Sequence, residues 1–146
     1  MFAFKKNKGV AKRVFTIQDI GELYYNIWPK ERFWMGRVDT IGTDKIDLVI
    51  NTRNDAEPNV NQVDLVKSIP SDYEFYMYMF YSYLEDAYSE FSYEEIEMMF
   101  FLTAIEVEVN KDELMFTLEA HFDTPYQYDS FKYFTVINKV IQYATI

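Results

Sequence analysis

Few residues of this chain have the chemistry to act as acid, base or ligand, and most of those are carboxylates. There is one histidine, His121, with Asp123 two positions on. The pair could shuttle a proton, but on a strand residues two apart share a face without necessarily touching, and a lone histidine on the polar side of a hairpin is usually just solvated. Glu94, Glu95 and Glu97, with Asp86 and Glu90, are the hard oxygen donors that calcium or magnesium wants. No loop with a glycine at the turn and alternating carboxylates accompanies them, so they read as a charged helix end and the junction beyond it. Tyr88, Phe91 and Tyr93 are interleaved with these acids, which is the texture of a protein-binding patch and equally of an aromatic-rich core. Trp28 and Trp34 flank a turn at Pro29, as a ligand-stacking pair or, more commonly, as core packing. The chain has no cysteine, so disulfides and thiolate chemistry are excluded, and with only 4 glycines it shows no phosphate-cradling loop or nucleophile elbow. No catalytic constellation and no cofactor or metal site is expected.

The strongest positional signal is the stretch Ser71 to Phe91. Ser71 and Glu74, directly after Pro70, have the spacing of a capping box, which predicts a helix start there. Tyr73, Met77, Phe80, Leu84, Ala87 and Phe91 then recur at steps of four and three, one stripe of a 3.6-residue helix facing a core. Ser92 and Glu95 repeat the capping-box spacing before Ile96, Met99 and Phe100, which predicts a second, short helix.

Around this centre the pattern has period two. Val10 to Ile27 reads as extended, with a bend at Gly21, and Pro29 to Arg32 breaks it. Phe33 to Ile41 and Lys45 to Thr52 form a hairpin whose Gly42 can take positive φ. Asn51 to Asn61 is a polar loop that could supply the first turn of a short helix running to Lys67. Ile105, Val107 and Val109 alternate with Glu106 and Glu108, and Leu114 to Phe122 alternates likewise, which predicts a hairpin with one apolar and one acidic face. Thr124 to Ser130 is a loop, and Phe131 to Ile137 and Val140 to Ile146 close the chain as a hairpin turning at Asn138 and Lys139. The fold class is α+β: an antiparallel sheet from N-terminal and C-terminal strands, with the central helix packed on one face.

At 146 residues and 49% apolar composition, the sequence predicts a single domain over 1–146, its first thirteen residues forming a basic, flexible segment. The formal net charge is −10, and five of the 14 basic residues precede the first acid, Asp19. From Ser68 to Asp129 only Lys111 is basic. Such a field argues against nucleic acid as a partner and for a basic protein surface, or for solubility alone. Short apolar runs and a charged N-terminus support neither a membrane span nor secretion, so a cytoplasmic location is expected.

The run Ile20-Gly21-Glu22-Leu23-Tyr24-Tyr25, then Trp34-Met35-Gly36, then Ile46-Asp47-Leu48-Val49-Ile50, resembles the small bacterial families of unknown function found beside polymorphic toxins. Their pattern is G-x-L-x-Y, W-x-G and an I-x-L-x-I strand. Pro58, Gln62, Tyr83, Leu118, Phe122, Asp123 and the Val136 to Val140 hairpin extend the resemblance over nearly the whole chain. Where those families often show tryptophan before the aspartate and Glu-His-Gly after it, this chain has Phe122 and Thr124-Pro125. The resemblance implies an immunity-type function, in which a non-enzymatic domain binds and neutralises a basic, nuclease-type toxin. Glu85, Asp86, Glu90, Tyr93, Glu94 and Glu97 are the expected contact surface. An acidic DNA mimic would use the same charges but space them like phosphates, and a small-ligand binder or enzyme would need Trp28, Trp34 and His121 to converge.

Overall fold

Period-two alternation and 4–3 spacing both become regular structure in the computed structural model, which describes residues 13–28, 31–109, 112–121 and 131–146. Eight strands lie in one sheet in sequence order: β1 (Val14–Ile17), β2 (Gly21–Trp28), β3 (Glu31–Val38), β4 (Ile46–Asn51), β5 (Phe100–Val107), β6 (Glu113–Ala120), β7 (Phe131–Ile137) and β8 (Val140–Thr145). Between β4 and β5 run α1 (Val60–Ala87) and α2 (Tyr93–Met99). The expected α+β fold is present, with α1 packed across one face. All neighbouring strands pair antiparallel except β4 and β5, which are parallel. That exception has a simple cause: a hairpin turn reverses the chain, whereas the α1–α2 crossover returns it in the same direction.

The start of the long helix corrects the sequence reading. It begins at Val60, eleven residues before Ser71, and its capping box is Asn59 with Gln62. Pro70 lies inside the helix. An interior proline costs about 3 kcal/mol. Val66 and Ile69, both fully buried, offset it at roughly 1.5–3 kcal/mol each. The stripe explains why the helix does not break: Gln62, Val66 and Ile69 extend Tyr73, Met77, Phe80 and Leu84 backward in the same phase. The far end is also shorter than expected. Ala87 is exposed and Phe91 sits half-buried beyond the helix, whose cap is Tyr88.

The stripe meets the sheet through aromatic rings. Phe80 lies 4.8 Å from Phe116 and 4.6 Å from Phe134, and Tyr76 lies 4.8 Å from Phe116. Tyr81, whose hydroxyl burial pushes well above its ordinary pKa, donates to the carbonyl oxygen of Phe100 at 2.8 Å. The second capping box, Ser92 with Glu95, is formed as expected. α2 then runs directly into β5 at Phe100, five residues before the predicted alternation. A register shift between Leu102 and Ala104 reconciles the two phases: the bulge places Phe100 and Leu102 on the same buried face as Ile105 and Val107.

Gly21 bends the chain with φ 152°, and Asn138 and Lys139 turn the last hairpin with φ 50° and 63°. Gly42 does not take positive φ. Its constraint is space, since a Cβ there would lie 2.6 Å from the Tyr73 ring. The basic segment before Arg13, the turn at Pro29, and the loop Thr124 to Ser130 lie outside the described residues.

Candidate functional site

Two polar sites lie near the two ends of α1, whose 28 residues span roughly 42 Å. The first contains the residues expected from sequence. Glu85 and Asp86 sit on the last turn of α1, Glu90 in the turn that follows, and Tyr93, Glu94 and Glu97 on α2. Tyr93 is the centre. Its ring lies 5.6 Å from Tyr78 and, edge-on, 6.0 Å from Tyr81, so the two helices meet through tyrosines. Burial raises the Tyr93 hydroxyl above its ordinary pKa, and the charges of Glu97, Glu85 and Glu94 add to the shift. Those three carboxylates therefore act on one tyrosine hydroxyl, beside Tyr78, which is 63% exposed. Asp86 and Glu90 are exposed close by in the chain.

The residues of the ligand-binding alternative do not converge. Trp34 is buried in the core between Phe15 at 5.9 Å and Tyr25 at 5.1 Å, and its Nε1 donates to the carbonyl of Ala56 at 3.0 Å. Tyr25 is its cross-strand partner, so Trp28, three residues along β2, points to the opposite face. His121 stacks on Phe101 at 4.5 Å, at the end of β6. Four strand spacings separate β2 from β6, roughly 19 Å. Asp123, its expected partner, lies outside the described residues.

The second site was not anticipated. At the carboxyl ends of the parallel strands β4 and β5, beside the first turn of α1, lies a cavity of about 530 Å³. Glu31, Arg32, Asn51, Thr52, Glu106 and Glu108, with the loop residues Asn54 and Asp55, line it. Asn51 donates its side-chain amide to Glu106 at 2.8 Å and to Glu108 at 3.3 Å. Gln62 donates its own amide to the carbonyls of Asn51 at 2.7 Å and Glu108 at 3.1 Å, fixing both strand ends to the helix start. The loop wall is pinned separately. The Tyr25 hydroxyl donates to Asp55 at 2.6 Å, while the Arg13 guanidinium donates to the Asp55 carbonyl at 2.9 Å and stacks 4.5 Å over the Tyr25 ring.

Burial raises the Glu108 carboxyl above its ordinary value, the neighbouring Glu106 charge adds to this, and the Asn51 hydrogen bond partly opposes it. Sequence reasoning had placed Glu106 and Glu108 on a wetted strand face and Asn51 in a loop. What brings them together is the parallel pairing of Ile50 with Val107, across a gap of more than fifty residues.

Among the described residues no group of acids and histidine could hold a metal ion, and no helix is long and apolar enough to cross a membrane. Comparison with protein-family models, with curated proteins and with solved structures finds no match. The functional reading therefore rests on the chain's own geometry and charge.

Proposed function

We propose that this protein is a binding domain of the immunity type, a cytoplasmic, non-enzymatic inhibitor that sequesters a basic, nuclease-type protein in a stoichiometric complex. The observation that carries the reading is the junction of α1 and α2, where the rings of Tyr78 and Tyr93 meet and the charges of Glu85, Glu94 and Glu97 act on the Tyr93 hydroxyl. Aromatic anchors hold interfaces together, and a surrounding field of one sign speeds encounter with an oppositely charged partner. The net charge of −10 supports the same polarity of partner. Mimicry of DNA is supported less well, because these acids cluster around one aromatic at a helix junction while a second acidic group lies near the other end of α1.

The test is affinity capture from the source cell's lysate at low and raised salt, repeated with Glu85→Lys, Glu94→Lys and Glu97→Lys combined. The expected result is a basic protein retained in one-to-one ratio, weakened by salt and lost with the triple variant while the circular dichroism spectrum is unchanged. Retention of that protein by the triple variant at wild-type level would move the interface away from this junction.

A further inference from the structure

We propose that β8 is a docking edge for a second copy of this chain, the two β8 strands pairing antiparallel about a two-fold axis at Ala144. The inference rests on the edge of the sheet and stands apart from the tyrosine junction.

β8 is the last strand of the sheet, and among the described residues nothing pairs with its outer side. The backbone N–H and C=O groups on that side are a template for another strand. Sheets ordinarily guard such an edge with charge, proline, short length or a bulge. The opposite edge, β1, is only 4 residues long. Val140 to Ile146 is seven residues with no charge and no proline. Its irregularity is Gln142, the extra residue where the pairing steps from Val136 with Ile141 to Thr135 with Tyr143. Beyond that bulge Tyr143, Ala144 and Thr145 lie in unbroken register against Thr135, Phe134 and Tyr133. The edge is regular there.

The side chains along it suit a contact. Tyr143 is 65% exposed at the middle of the segment, and Val140 and Ile146 are exposed at its two ends. On the face that Tyr143 shares with Thr135, the exposed rings of Phe131 and Tyr133 stack at 6.4 Å. With the axis at Ala144, Tyr143 of each copy lies opposite Thr145 of the other. An aromatic facing a β-branched residue is a favourable cross-strand pair, and the symmetry makes it twice.

Charge selects the occupant. The chain carries a formal −10, so two copies repel each other over most of their surfaces. Phe131 to Ile146 holds no acid, Lys132 is buried, and Lys139 pairs with Asp72 at 3.3 Å. The acids of β6 on the Tyr143 face, Glu113 and Glu119, pair with Ile137 and Phe131 and so lie two strands in from the edge. A basic partner finds little to attract it here, whereas a second copy meets no like charge along the strand. Seven residues of strand span about 23 Å, which is less than a standard interface supplies, so the dimer is weak and forms with concentration.

The test is sedimentation equilibrium of the full chain from about 10 μM to about 1 mM, at roughly 20 mM and roughly 300 mM salt. The average mass should climb toward twice that of the chain. Raised salt should strengthen association about threefold or more, because it screens the repulsion between copies and leaves an uncharged contact intact. That sign is opposite to the one expected for capture of a basic protein, so the two readings fail separately. Tyr143→Lys removes the aromatic pair and sets a cation on the edge of both copies, and should weaken association about tenfold or more with an unchanged circular dichroism spectrum. Met98→Lys, the same charge change at an exposed residue of α2, should leave association as it is. A readout without any variant is hydrogen exchange, where alternate amides of β8 should slow at the higher concentration. A monomer at about 1 mM in raised salt would overturn the proposal and leave the edge to another occupant. Association weakened by salt, equal loss in Met98→Lys, no loss in Tyr143→Lys, or β8 amides that exchange alike at both concentrations would also overturn it.

Discussion

The side-chain amide of Gln62 donates to the carbonyl oxygen of Asn51 at 2.7 Å, joining the first turn of α1 to the last residue of β4. The same side chain reaches Glu108 and closes the capping box with Asn59, so one buried residue serves the helix start and both parallel strand ends. Replacing it with leucine keeps the bulk but leaves two buried carbonyls and a helix cap unsatisfied. Gln62→Leu should lower stability by roughly 2–4 kcal/mol, read as a drop in the urea midpoint at constant slope. A change below about 0.5 kcal/mol would mean that water replaces the amide at no cost.

Gly36 on β3 lies tight against the backbone of β2. A Cβ there would collide with the carbonyl oxygen of Glu22 and lie 2.9 Å from Leu23 Cδ2. The obstacle is backbone in the middle of a sheet, which cannot swing aside as a side-chain end can. Gly36→Ala should therefore destabilise by about 2 kcal/mol or more, although alanine is the smaller perturbation by volume. A thermal midpoint within about one degree of wild type would show that the strands separate freely.

Lys132 and Phe134 lie two apart on β7 and both are fully buried against the helix side of the sheet. They should respond oppositely to substitution. Phe134, stacked on Phe80, should cost about 3–5 kcal/mol as alanine. Among the described residues the Lys132 ammonium has no hydrogen-bond partner and is met by the rings of Tyr88 at 5.2 Å and Phe100 at 6.0 Å. A desolvated cation over aromatic rings recovers about 2 kcal/mol or somewhat more, less than burial of an unpaired charge takes away. Lys132→Met should thus be neutral or stabilising in chemical denaturation. A loss of several kcal/mol would reveal a partner for the ammonium.

Glu108 links the cavity to pH. Its folded-state pKa is raised above the ordinary 4.5 by burial and by Glu106. Above pH 4.5 the folded protein therefore holds a proton that the unfolded chain has released, and stability falls as pH rises through that window. Glu108→Gln removes the titration. It should raise stability at pH 7, by less than about 1 kcal/mol because the group is only partly buried, and the gain should vanish as the pH is lowered below 4.5. A gain that is equal at pH 4 and pH 7 would assign the effect to packing.

Signals that act within a few residues were legible without the structure. The Ser92–Glu95 box, the stripe through Met77, Phe80 and Leu84, the Gly21 bend and the turn at Asn138 and Lys139 each depend on one helical turn or one hairpin. The same locality explains the misreading at Ser71. Its spacing to Glu74 is that of a cap, but the helix is already under way, because Val66 and Ile69 are buried by a sheet that the local pattern does not contain.

By itself the sequence determined an α+β chain with an apolar helical stripe, hairpins at both ends, no thiol chemistry and a strongly anionic surface. Only the tertiary structure decided that β4 and β5 lie parallel, that α1 begins at Val60 in spite of Pro70, that Lys132 is buried, and that Asn51, Thr52, Glu106 and Glu108 share a cavity. The reason is reach. Propensity, capping and alternation are settled among neighbours, whereas a site assembled from Glu31, Asn51 and Glu108 exists only once a 28-residue helix has brought strands distant in sequence side by side.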